Sequence, residues 1–222
     1  MFGYEAILHV ENPLSFRTNE YGNVIRMGRV LHNWALMFAM NGIRGDPEKD
    51  HLANLDGAGI YCTPAVPREA SFQFQTFHPF PEAPNMITHP QKLGSGSVST
   101  YQRMFTILHY KEFVKPGSTF VFGVLSEREL PEEMIITYGG KQTLQRIRLS
   151  SATVEDRENF SGQVRHPINP LDFKESIQMK NVYQYSVPPS PLFQGYITSP
   201  IHVMLIKKQA KEYVAPHIDG SY

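Results

Sequence analysis

Only one stretch of this chain carries apolar residues at helical spacing over any length. In Arg26-Met-Gly-Arg-Val-Leu-His-Asn-Trp-Ala-Leu-Met-Phe-Ala-Met40, residues Val30, Leu31, Trp34, Ala35 and Phe38 fall on one face. This predicts a helix near 29–41, with Asn41-Gly42 as its C-terminal stop. Nearly everything else reads in the two-residue period of strands. Tyr4, Ala6, Leu8 and Val10 alternate with polar neighbours, and Leu14-Ser-Phe-Arg-Thr is a short second strand. Gly59–Thr63, Tyr101–Tyr110 and Pro116–Leu125 read as strands, Met134–Tyr138 and Gln142–Val154 as a pair across Gly139-Gly140-Lys141, and Asn181–Val187 and Ile201–Lys208 complete the set. A charged, broken stretch from Arg44 to Asp56 has room for one short helical turn. The pattern predicts an α+β fold, mostly antiparallel, with one main helix.

No internal repeat or second boundary interrupts the chain, so 1–222 is read as a single domain. Prolines at 64, 67, 79, 81, 84 and 90 and the run Leu93-Gly-Ser-Gly-Ser-Val-Ser mark residues 64–100 as a projecting arm. Within it, Phe72, Phe74, Thr76 and Phe77 predict a strand of an extended hairpin. No apolar run reaches membrane-spanning length, the N-terminus lacks a signal-peptide layout, and one cysteine excludes an internal disulfide. These observations predict a cytoplasmic protein with no membrane partner.

Catalytic chemistry finds little support in the residues. The nine histidines show no His-x-His or His-Glu-x-x-His spacing and no cysteine companions, so neither a metal nor any other cofactor is expected. Cys62 lacks a nearby base and reads as a small buried hydrophobe. Ser95 and Ser97 lie in Gly-Ser-Gly-Ser-Val, which is not a nucleophile elbow. His109, Tyr110 and Lys111 are adjacent, and neighbours on a strand point to opposite faces.

Binding chemistry fares better. Formal net charge is zero, yet ten of the 21 Lys and Arg lie in windows 84–111, 134–154 and 176–211, which contain no Asp or Glu. Local potential, not net charge, attracts a polyanion. Arg26 and Arg29 would precede and open the helix, beside its free backbone N–H groups. His32 and Asn33 on the adjoining face either hydrogen-bond a base or cap a neighbouring loop. Tyr101 and Arg103 share a strand face with Phe105, an aromatic-and-cation pattern suited to single-stranded RNA. Lys141 sits at a glycine turn, and Arg146 and Arg148 lie two apart on one face of the following strand. The RNA-binding candidates are therefore Arg26, Arg29, His32, Asn33, Tyr101, Arg103, Lys141, Arg146 and Arg148.

Several phrases, taken in order, resemble a known family. They are Leu14-Ser-Phe-Arg-Thr, Leu31-His-Asn-Trp-Ala-Leu-Met-Phe-Ala, Gly59-Ile-Tyr-Cys-Thr-Pro-Ala-Val-Pro, the stretch Pro131 to Leu149, and His166-Pro-Ile-Asn-Pro-Leu-Asp172. Their order is similar to that of the Cas-five (Csc-one type) subunit of the type I-D CRISPR Cascade effector complex, most clearly over the first two-thirds of the chain. The resemblance implies a ferredoxin-like (RRM-like, RAMP-type) sheet core whose projecting thumb is the arm at 64–100. It implies a non-catalytic subunit of this antiviral surveillance complex that grips the 5′ handle of crRNA. The subunit would cap the foot of the backbone filament, touching the large subunit and the first Cas-seven-type backbone subunit. Whether the arm also reaches target DNA beside the protospacer motif is left open. The alternative is a metal-independent endoribonuclease that processes precursor crRNA, since a relative in another subtype cuts RNA. A protein-only scaffold is a third reading.

Overall fold

The computed structural model describes residues 1–16, 19–21, 24–46, 48–77, 109–139 and 143–218, with the backbone alone at 19–21, 77 and 109. Its centre is β1 (Phe2–His9), where Tyr4, Ala6 and Leu8 are buried as the alternation requires. β1 lies antiparallel between β8 (Thr119–Ser126) and β10 (Thr143–Ile168), with Ala6 opposite both Phe122 and Leu149. β4 (Ile60–Cys62) pairs antiparallel with the far side of β8. β1 and β4 therefore run in the same direction, and a crossover must join them. That crossover contains α1 (Asn33–Asn41), which buries Leu36, Met37 and Met40, and the short α2 (His51–Leu55).

The helix begins at Asn33, not near residue 29. Leu31 exchanges two backbone hydrogen bonds of 2.9 Å with Ala65, which holds the chain extended up to the cap. His32 then caps the helix, its Nδ1 accepting from the Trp34 N–H. At the other end Gly42 has φ 65°, the left-handed conformation expected of that glycine.

β10 runs for 26 residues, far beyond the predicted strand end at 154. Its first part pairs with β1 and with β9 (Glu133–Tyr138), and its second part pairs with β12 (Leu192–Lys208). β11 (Met179–Tyr185) and β13 (Lys211–Pro216) flank β12. The long strand carries this section back across the central sheet, so the fold is a curled, mostly β antiparallel sheet with two short helices. Strand was expected to dominate around one main helix, and it runs further than expected: the extra strand comes from the extension of β10 and β12 and from the unforeseen β13. β8 is consequently covered on both faces. Its Phe120, Phe122 and Val124 face one side, and Val121, Gly123 and Leu125 lie under the returning hairpin.

Gly123 permits that closure. A Cβ there would sit 2.8 Å from Tyr213 Cβ and 2.9 Å from Tyr213 Cγ. Gly123→Ala is expected to lose about 1–3 kcal/mol through overpacking, read as a lower urea midpoint with an unchanged m-value.

A second sheet has the order β2 (Asn19–Tyr21), β3 (Val24–Arg26), β7 (His109–Val114), β6 (Phe72–Phe77). β6 and β7 are antiparallel from Phe72↔Val114 to Phe77↔His109, so the predicted arm strand at 72–77 has a partner. The expected arm began at 64, but β5 (Val66–Glu69) is an edge strand on β8. Residues 78–100 of the arm lie outside the described residues. Leu14, expected in a strand, makes only an isolated bridge to Val114.

Candidate nucleic-acid interface

Where β10 lies between β9 and β1, Gln145, Ile147 and Leu149 point inward and are buried. The strand period therefore turns Leu144, Arg146 and Arg148 to the opposite, outward face. Arg146 is flanked by Ile135 on β9 and His9 on β1, and Arg148 by Glu133 and Ile7. Ile135 is 70% and Leu144 56% exposed, so the two arginines stand beside bare apolar surface.

Both arginines have counter-charges. Arg146 Nε donates to Glu11 Oε1 at 2.7 Å, and Arg148 Nε donates to Glu133 Oε2 at 3.3 Å. The acid-free windows thus hold cations that pair with carboxylates distant in sequence, contrary to the expectation of uncompensated charge. Lys211 does the same with Glu5 at 2.7 Å. Glu11 and Glu133 are themselves 43% and 48% exposed, and such surface pairs are worth about 0–1 kcal/mol. A phosphate can exchange into them at small cost. His9 lies opposite Arg146. Burial first, then the Arg148 and Arg146 charges, holds its pKa below the ordinary histidine value. Its Nε2 is covered from solvent and has no hydrogen-bond partner among the described residues.

Arg29 stands differently. It does not open the helix; it lies before the cap, donating from NH2 to Glu112 Oε1 at 2.9 Å with its guanidinium 3.8 Å over the Phe72 ring. Glu112 is only 2% exposed and also accepts the Met27 N–H at 3.0 Å. Moving Arg29 wholly to a phosphate would strand a buried carboxylate, so compensating Glu112 is the role the contacts give it. Arg26 is exposed on β3, on a different sheet from Arg146 and Arg148. Tyr101, Arg103 and Lys141 lie outside the described residues.

His32 and Asn33 are 4% and 0% exposed, which removes them from any RNA surface. They belong to a buried polar network around Asp172. Its Oδ2 accepts from Asn33 Nδ2 at 2.6 Å and Tyr61 OH at 2.9 Å. Its Oδ1 accepts from Trp34 Nε1 at 2.6 Å and Asn169 Nδ2 at 3.1 Å. His32 Nε2 meets Ser190 Oγ at 3.0 Å, and that hydroxyl reaches Asn169 Oδ1 at 3.3 Å. Burial raises the Asp172 pKa to about 7 against the pull of the Trp34, Tyr61 and Asn33 donations. The His166–Asp172 phrase is therefore the receptor for the start of α1. His166 itself is buried, hydrogen-bonding the Pro64 carbonyl and meeting Thr63 Oγ1 at 3.2 Å, and burial lowers its pKa to about 4. Cys62 packs as a hydrophobe with its sulfur 3.4 Å from Met40 Sδ, and burial pushes its thiol far above the ordinary value.

Sequence reasoning read a strand at Asn181–Val187 but passed over β11 as a binding surface. Tyr183 is largely exposed and meets Tyr185 edge to face at 4.7 Å, while Lys180 Nζ stands 4.8 Å over the Tyr196 ring. Their only early signal was the acid-free window 176–211.

The family model of the type I-D CRISPR-associated protein Cas5/Csc1 matches residues 1–216, and the chain belongs to that family. The match includes the C-terminal third, where the resemblance had been thin. A chain in the cryo-EM structure of the type III-B Cmr-beta bound to cognate target RNA and AMPPnP, state 1, is similar at 9% identity. It has a TM-score of 0.44, covering 87% of this chain and 85% of that one. No curated protein matches the chain. Among the described residues no helix is long and apolar enough to cross a membrane.

Proposed function

We propose that this chain is a non-catalytic subunit of the type I-D effector complex that binds the 5′ handle of crRNA and caps the foot of the backbone filament. In that position it meets the large subunit and a Cas-seven-type backbone subunit. The observation that carries the reading is the outward face of β10. There two guanidiniums stand side by side, held only by exposed, weakly bound carboxylates and bordered by bare Ile135 and Leu144. Exchangeable arginines suit ribose-phosphate oxygens, and the apolar rim suits a base or a neighbouring subunit. The strand order β10-β1-β8-β4, with α1 in the crossover from β1 to β4, supports a ferredoxin-like core. In this reading the second crossover helix is replaced by β9.

His9 is the residue that an RNA-cleaving alternative would recruit, a neutral imidazole beside two cations. Its Nε2 is covered from solvent, which favours binding over cleavage. In the test, Arg146→Ala with Arg148→Ala weakens binding to handle RNA by about 10–100-fold. The slope of log K against log salt becomes shallower by about 1.4, two phosphates' worth. Unchanged affinity and slope remove this face from the site. Discrete cleavage of repeat RNA by the wild-type protein in EDTA overturns the non-catalytic reading.

A further inference from the structure

The edge of the β10–β12–β13 section gathers three metal-ligand side chains that lie far apart in sequence. Met204 is opposite Asp156 on β10 and Ala215 on β13, and Val203 is opposite Pro216. The same register brings His202 opposite His217, just past the end of β13. The strand period then turns Asp156, His202 and His217 to one face. His202 Nε2 is 2.6 Å and His217 Nδ1 3.4 Å from Asp156 Oδ1, and all three ligand atoms fall within 4.8 Å of one another. The two imidazole rings stack with centroids 3.6 Å apart and 16° between planes, and the stack must open for both in-plane lone pairs to meet one ion. We propose that Asp156, His202 and His217 form a binding site for a borderline divalent transition ion of the Zn2+ class.

The donor set decides the class. Two imidazole nitrogens and one carboxylate oxygen suit Zn2+, Co2+, Ni2+ or Cu2+, whereas Mg2+ and Ca2+ need an all-oxygen shell. Ligands bonded at about 2.0–2.1 Å to one tetrahedral ion lie about 3.4 Å apart. The His217–Asp156 pair already has that separation, and the His202–Asp156 pair must open by about 0.8 Å as the ion replaces its hydrogen bond. Glu175 supports the site, its Oε2 accepting the backbone N–H of His202 at 3.1 Å, and it borders the same cavity as both histidines. With three protein ligands the ion keeps a coordination position for water or a partner's side chain. The bound ion ties β10, β12 and the chain leaving β13, the hairpin whose Tyr213 covers Gly123. The site acts as a staple on the closure of the sheet.

The test uses the full chain, stripped with a chelator and titrated with Zn2+ against a chromophoric competitor. One equivalent binds, Zn2+ raises the thermal midpoint, and Mg2+ at the same concentration does not. His202→Gln, His217→Gln and Asp156→Asn each weaken Zn2+ binding by about tenfold or more. Should the variants fold poorly, the electron paramagnetic resonance spectrum of the Cu2+-loaded wild-type chain shows coupling to two imidazole nitrogens. Absence of a stoichiometric site, wild-type affinity in folded His202→Gln and His217→Gln chains, or fewer than two coupled nitrogens overturns the assignment.

Discussion

Asp172→Ala is expected to cost about 3–5 kcal/mol of folding stability, measured by urea denaturation of the full chain. The carboxylate collects four donors, from Asn33, Trp34, Tyr61 and Asn169, in a pocket where water does not replace it. Truncation leaves those donors facing an apolar void, and each buried unsatisfied group costs about 1–3 kcal/mol before relaxation. Trp34→Phe removes one donor and keeps most of the packing, so it should cost about 1–2 kcal/mol. A loss below about 1 kcal/mol for Asp172→Ala would mean that the network does not hold α1 to the His166–Asp172 segment. The deficit should also weaken RNA binding indirectly, without altering its salt slope, because no phosphate contact is removed.

Stability should rise with pH between about 5 and 6, by at least about 1.4 kcal/mol per unit, and Asp172→Asn should steepen that slope by about 1.4 kcal/mol per unit. The buried His32 and His166 both have pKa values lowered to about 4 by burial. Their contribution is present above the unfolded histidine value and is lost as pH falls toward 4, since each takes up a proton on unfolding. Asp172, raised to about 7 by burial, acts in the opposite sense. Its contribution is full below the unfolded aspartate value and is lost as pH rises through 7, since it releases a proton on unfolding. In this window two protons are bound and one released, a net uptake of one. Removing the Asp172 titration leaves two. His9, also lowered, adds in the same direction as the other histidines. Equal slopes for wild type and Asp172→Asn would show that Asp172 is ionised in the fold, its four donors outweighing its burial.

The local code of the chain was legible where a single element decides its own burial. β1, β4, β8 and β9 fall where alternation and turn residues put them, because a half-buried strand announces its period. Cys62 read as a core residue is core. The same code misplaced the start of α1, since helical spacing at Val30 and Leu31 says nothing of Ala65, which holds Leu31 extended. Charge windows misled for a related reason. They describe neighbours in sequence, whereas the partner of Arg146 is 135 residues away and that of Lys211 is 206.

The amino-acid sequence by itself determined the family, the mostly antiparallel pattern, the main helix and the placing of Arg146 and Arg148 on one strand face. Each follows from local order and period alone. Tertiary structure decided which polar groups serve the fold and which face outward. It committed Arg29 to Glu112, buried His32 and Asn33 around Asp172, and brought Asp156, His202 and His217 to one face. The reason is physical: a side chain's charge and hydrogen-bonding capacity are written in its residue type, but its partner and its exposure are set by tertiary pairings that join segments 46, 83 and 139 residues apart.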